Sequence, residues 1–267
     1  VPAQHRHNAI VLNSTSVNAA RIIGPAAAGL AIAQFGEAGC FVLNALSYVS
    51  VLFALQAMRE VRQPLAQEQS GGPWKEIGEG MAYAFASEPI RLVLLALCVF
   101  SVAGLPLYTL MPVFAEGILH SGVKGLGILS SFSGLGATIG ALGLARRRGA
   151  VGVGGEIVWG SVVMAAAMAG IAWSRIFSLS CFFMVAAGWA AILVLAGANS
   201  ALQEVSDDRH RGRVMSFYSM IFVGLSPLGS FIVGGLAARF GAPWTTAGMA
   251  AILVVLAVGY GQRLRAI

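Results

Sequence analysis

The chain has 267 residues, of which 57% are apolar (AVILMFWYC) and 10% charged, with a formal net charge of +6. Soluble domains carry about 45–50% apolar and about 25% charged residues, so an ordinary soluble fold is excluded. The basic excess does not point to nucleic acid either, because the basic residues are scattered through short connections.

The apolar residues fall into eight runs of roughly twenty, each long enough to cross a hydrocarbon core of about 30 Å as a helix. In chain order the predicted spans are 13–35, 39–58, 90–114, 126–145, 153–173, 177–198, 214–237 and 244–262. In lipid each backbone polar group must be satisfied within its own segment, so helix is the expected state throughout. The polar opening VPAQHRHN reads as a loop, and the chain is expected to begin inside a larger protein. Cys40, Cys98 and Cys181 lie within apolar runs, without CxxC or His/Cys spacing, and read as small buried hydrophobes.

Alternate connections carry Arg6; Arg59, Arg62, Lys75 and Arg91; Arg146, Arg147 and Arg148; Arg209, Arg211 and Arg213; and Arg263 with Arg265. The intervening ones carry only Lys124, Arg175 and Arg239. The positive-inside rule therefore places the first group, with both chain ends, in the cytoplasm. Trp173 and Trp244, at the opposite ends of their spans, read as interface anchors.

The connection 59–89 opens with a linker composition, VRQPLAQEQSGGP. It then places Trp74, Ile77, Met81 and Phe85 at helical spacing, with Lys75, Glu76 and Glu79 off that face. This predicts an amphipathic helix, lying on the inner membrane surface or packed on the cytoplasmic end of the bundle.

The chain echoes itself. VPAQHRHNA leads into a helix with Gly24-Pro25 that ends LAIAQFG, and VSDDRHRGR leads into a helix with Ser226-Pro227 that ends GLAARFG. Six spans separate the two copies, the mark of a transporter made of two six-helix halves. On that reading residues 1–58 close a first half, 59–89 form the central cytoplasmic loop and 90–267 make the second half. The first four of twelve helices are then absent from this chain.

Arg21 is the one strong charge well inside a span, a placement costing about 2.5–3.5 kcal/mol on insertion scales. It shares a helical face with Ser14, Asn18 and Pro25. Two readings stand: a substrate- or proton-coupling residue, or a structural arginine paired with a neighbouring helix. No Asp or Glu lies mid-span. Gly24, Pro25 and Gly29 predict a kinked, closely packed helix, echoed by Pro227. Asn44, Tyr108, Asn199 and Tyr218 lie at membrane depth and either line a cavity or bond between helices. The arginines Arg146, Arg147 and Arg148 are topology signals that could also gate the cytoplasmic side. No nucleophile elbow, Walker loop, HExxH or intramembrane carboxylate pair is present, so no enzyme, cofactor or metal site is expected.

The stretches LNSTSVNAARIIGPAAAGL, FVLNALSYVSVL, GEGMAYAFASEPIRLVL and RGRVMSFYSM resemble the major facilitator superfamily. Within it they are most similar to the enterobactin-exporter and macrolide-efflux branch of bacterial exporters. The match spans essentially the whole chain and covers family helices five to twelve. The antiporter motif of helix five resembles Gly24-Pro25 with Gly29, although Val11, Ala20 and Ala28 stand where that pattern has glycines. The loop motif between helices eight and nine resembles Gly140, Leu142 and Arg146 to Arg148, but lacks the acidic residue of the fuller pattern. The resemblance implies a helical bundle in the bacterial inner membrane that exports small organic molecules, drug- or siderophore-like, coupled to protons. The cavity candidates are Asn18, Arg21, Asn44, Tyr108, Asn199 and Tyr218. The competing expectation is a non-transporting scaffold or receptor that retains the fold.

Overall fold

The computed structural model describes residues 35, 39–57, 73–145 and 153–265. Among these, seven helices are long and apolar enough to cross a membrane, matching the predicted spans from the second onward. The first predicted span lies outside the described residues apart from Phe35.

The helices are α1 (Gly39–Ala57), α2 (Pro73–Ala86), α3 (Glu88–Ile118), α4 (Gly122–Ala145), α5 (Val153–Trp173), α6 (Phe177–Val205), α7 (208–240) and α8 (Ala242–Arg265). Short connections make neighbours antiparallel. α3 starts at an extended Ser87 with Pro89 in its first turn, where a missing N–H costs nothing. α7 ends at Gly241, whose φ of 84° is closed to residues with a Cβ, and α8 begins at once.

α6 is the hub, packed against α4 on one side and α5 on another, and α5 in turn carries α8. The crossing of α4 and α6 depends on missing side chains. A Cβ at Gly136 would collide with the Val185 carbonyl, and one at Gly188 with that of Ser133. In lipid the hydrophobic effect does not drive helices together, so such close backbone approach supplies dispersion contact instead. The buried core joins Leu97, Phe100 and Leu107 of α3 to Ile157, Met164 and Met168 of α5 and Met184 of α6. The outer faces are apolar as well. Phe231 is 84% exposed and Val258 77% exposed, the inverse of a soluble surface and the expected face toward acyl chains.

Among the described residues, the segments carrying Arg91, Arg213 and Arg263 meet at one end. Arg263 pairs with Glu88, and Arg213 with Glu79. At the other end Trp173 and Trp244 meet edge to face, ring centroids 5.8 Å apart.

Candidate functional site

Among the described residues, two spans are broken in mid-course, both beside a proline. In α3 the chain turns from α to π geometry at Phe100–Gly104, Leu105 N–H bonding back to the Phe100 carbonyl at 3.1 Å. Pro106 has no N–H to give Val102, its i−4 acceptor, so the regular ladder cannot continue there. Gly104 makes room beside it, since a Cβ there would lie 3.0 Å from the Phe100 ring and press it aside. A second π turn, Phe114–Ile118, ends the same helix. In α7 a π turn at Met220–Leu225 precedes Ser226-Pro227.

The two breaks lie against each other. A Cβ on Gly229 of α7 would stand 2.8 Å from Val102 Cα and 3.0 Å from the Val102 carbonyl oxygen. A glycine of α7 thus rests on the irregular backbone of α3. Beside it, the hydroxyls of Thr109 and Ser230 bond at 2.8 Å.

Three of the polar candidates belong to this bundle. Tyr108 is half-buried, and its hydroxyl accepts from Ser133 of α4 at 3.0 Å. Tyr218 of α7 donates to the Leu195 carbonyl of α6 at 3.1 Å, one turn before Asn199 on the same helix. Asn199 Oδ1 accepts from Gln203 in the next turn. Asn199 and Tyr218 are therefore brought together across α6 and α7, while Tyr108 joins a separate α3–α4 contact. Asn44 is exposed on α1, its carbonyl accepting from Ser47. Pro227 is exposed on α7. Asn18, Arg21, Gly24, Pro25 and Gly29 lie outside the described residues, as do Arg146, Arg147 and Arg148.

The sequence offers Glu156 as an acid with which the arginines Arg146 to Arg148 could pair at the cytoplasmic gate. It sits in the first turn of α5, only 7% exposed, with its side chain against Gly197 of α6. Its burial is what the sequence did not show.

At the arginine-rich end α2 packs on the start of α7. Gly80 lets the helices close, since a Cβ there would be 3.2 Å from Arg213 Cβ. Arg213 Nη1 donates to Glu79 at 2.9 Å. The Tyr83 ring stacks on His210 with centroids 4.2 Å apart, and its hydroxyl accepts the Asp207 N–H at 3.1 Å. Arg211 donates to the carbonyls of Gln203 and Ser206, covering the last turn of α6.

Next to this junction lies a groove of about 880 Å³ between α2, the first turns of α3, the π turn of α7 and the end of α8. Its wall is apolar, from Phe85 and Leu95 to Ile221, and Arg91 and Arg263 stand in its lining. None of Asn44, Tyr108, Asn199 or Tyr218 lines it.

The sequence matches, over residues 1–267, the major facilitator family described as transmembrane secretion effector. No curated protein matches it significantly. A crystal structure of a bacterial homolog to the human lysosomal transporter Spinster, inward-facing and unoccupied, is similar with a TM-score of 0.65. That likeness covers 99% of this chain and 72% of that one, at 15% identity, and speaks to the fold. The broken, glycine-packed helices, the inverted surface polarity and the full-length match agree: the chain belongs to the transmembrane secretion effector family of the major facilitator superfamily, a family of secondary transporters.

Proposed function

We propose that the protein exports small organic molecules, drug- or siderophore-like, across the bacterial inner membrane by alternating access coupled to protons. The observation that supports this reading is the pair of interrupted helices. α3 and α7 each lose regular hydrogen bonding in mid-span, at Phe100–Gly104 and Met220–Leu225, and they touch through Gly229. Discontinuous spans are where transporters place substrate sites and pivots, and a contact without side chains can roll with little loss of packing.

Residues 1–58 contribute to one half of the transporter and 90–267 form the other, with both ends of the chain cytoplasmic. Asn18, Arg21 and Asn44 face the substrate path from the first half, and Tyr108, Asn199 and Tyr218 from the second. Gly24, Pro25 and Gly29 form a hinge in the first half, as Pro227 does in the second. Arg146, Arg147 and Arg148 gate the cytoplasmic side. Arg21 is the coupling candidate, because a guanidinium at membrane depth normally faces the bundle interior or a water-filled path.

The test is flux in inside-out vesicles containing the intact protein. An inwardly acid gradient should drive accumulation of a hydrophobic dye, and Arg21→Ala should abolish it while the protein stays monodisperse. Equal uptake by empty vesicles, across a broad substrate panel, would contradict export.

A further inference from the structure

The groove at the arginine-rich end has a chemistry that the transport path does not require. Its walls are Met81 and Phe85 of α2, Leu95 and Cys98 of α3, and Ile221 and Gly224 of α7. Several of these side chains are exposed: Phe85 is 60% exposed and Met81 45%. An open apolar trough at the end of a membrane bundle suits an acyl chain better than water, because wetting apolar surface is unfavourable.

Two cations stand in this trough and give it polarity. Arg91 Nη1 donates to the Phe85 carbonyl at 2.9 Å, which pins its guanidinium over the end of α2. A guanidinium has five N–H donors, so this bond leaves others for a ligand. Arg263 reaches Glu88 at 3.6 Å, with both side chains more than half exposed (68% and 56%). An ion pair so long and so wet is weak, and a phosphate can displace the carboxylate with two parallel hydrogen bonds. Glu79, on the helix that forms one wall, is engaged by Arg213.

We infer that this groove is a binding site for an anionic phospholipid, with an acyl chain along α3 and α7 and the headgroup phosphate between Arg91 and Arg263. The lipid would fill the gap between α2, α3, α7 and α8 and tie the central-loop helix to α7 beside its π turn. A free phosphate would have no use for the apolar wall, and a zwitterionic lipid would use the arginines less well. Anionic lipid is the occupant that satisfies both features.

The test is native mass spectrometry of the purified protein after exposure to mixed micelles of phosphatidylglycerol and phosphatidylethanolamine in equal amounts. The protein should retain phosphatidylglycerol in excess. Arg91→Gln and Arg263→Gln should each lower the phosphatidylglycerol-to-phosphatidylethanolamine ratio about fivefold. Arg239→Gln, at the opposite end, should leave it unchanged. Gly224 has nothing within 4 Å of an added Cβ, so Gly224→Leu fills the groove without distorting the helix and should reduce retention of both lipids. An unchanged lipid ratio in the double arginine variant would overturn the site, as would undiminished retention in Gly224→Leu. Neither readout depends on flux, so the site stands or falls apart from the export reading.

Discussion

Replacing Gly229 by alanine tests the close contact of α7 with α3 that the proposed mechanism uses as a pivot. The new methyl carbon would meet Val102 Cα at 2.8 Å, the Val102 carbonyl oxygen at 3.0 Å and Pro106 Cγ at 3.1 Å. Carbon atoms pack best at about 3.5–4.0 Å, so the helices must part by roughly 0.7 Å. Neither Val102 atom belongs to a side chain that can swing away, and the neighbouring Phe100, Ala103 and Leu107 are buried. Such overpacking costs about 1–3 kcal/mol. Alanine's better helix propensity returns up to about 1 kcal/mol. The net loss is about 1–2 kcal/mol, or several degrees of Tm at about 2–4 °C per kcal/mol for a chain of this size. Gly234, on the same helix, has nothing within 4 Å, so Gly234→Ala should be neutral or slightly stabilising. Both variants would be melted in detergent by intrinsic fluorescence and assayed for flux. If Gly229→Ala melts no lower than Gly234→Ala and transports normally, the α3–α7 contact is not the close pivot described.

Three further outcomes are expected. Tyr218→Phe removes a hydroxyl that donates to the Leu195 carbonyl, which in membrane proteins is worth about 0.6 kcal/mol. Its melting should barely change while export falls, and unchanged export would remove Tyr218 from the substrate path. Tyr83→Ala removes both the stack on His210 and the acceptor of the Asp207 N–H, whereas Glu79→Gln removes one partly exposed ion pair worth under about 1 kcal/mol. Hydrogen exchange of the α2 amides should therefore rise far more in Tyr83→Ala than in Glu79→Gln. Gly241→Ala forces a Cβ into φ 84° at the α7–α8 turn and should destabilise by about 1–2 kcal/mol, read as a lower melting temperature.

Hydropathy made the spans legible because in lipid it is the dominant constraint, and 39–58 differs from α1 by one residue. The ends were less legible. α3 runs on to Ile118, past the predicted 114, and carries Glu116 out through a π turn. α6 continues to Val205 rather than 198, because Asn199 and Gln203 bond within the helix and Arg211 covers its last carbonyls. α7 likewise begins at residue 208, well before 214. Composition locates the apolar stretch but not the polar turns that extend a helix beyond it.

The site was legible only in outline. Ser226-Pro227 marked a disturbance in α7, yet the matching break in α3 went unread, since Pro106 looked like one more residue of an apolar run. Gly136 and Gly188 carry no signal that separates them from Gly143, where nothing approaches. Close approach is a property of pairs of helices, and no single stretch of sequence encodes it. The spacing of Trp74, Ile77, Met81 and Phe85 foretold an amphipathic helix. Its docking, through Gly80, Tyr83 and Glu79 onto α7, came from residues off that face.

The account stands most directly on movement of α7 relative to α3 during coupled export. A disulfide across their contact, from Thr109→Cys and Ser230→Cys, whose hydroxyls meet at 2.8 Å, in a protein lacking Cys40, Cys98 and Cys181, would lock the pair. Flux in inside-out vesicles should be lost on oxidation and restored by reduction. Full flux with the crosslink formed would contradict the account.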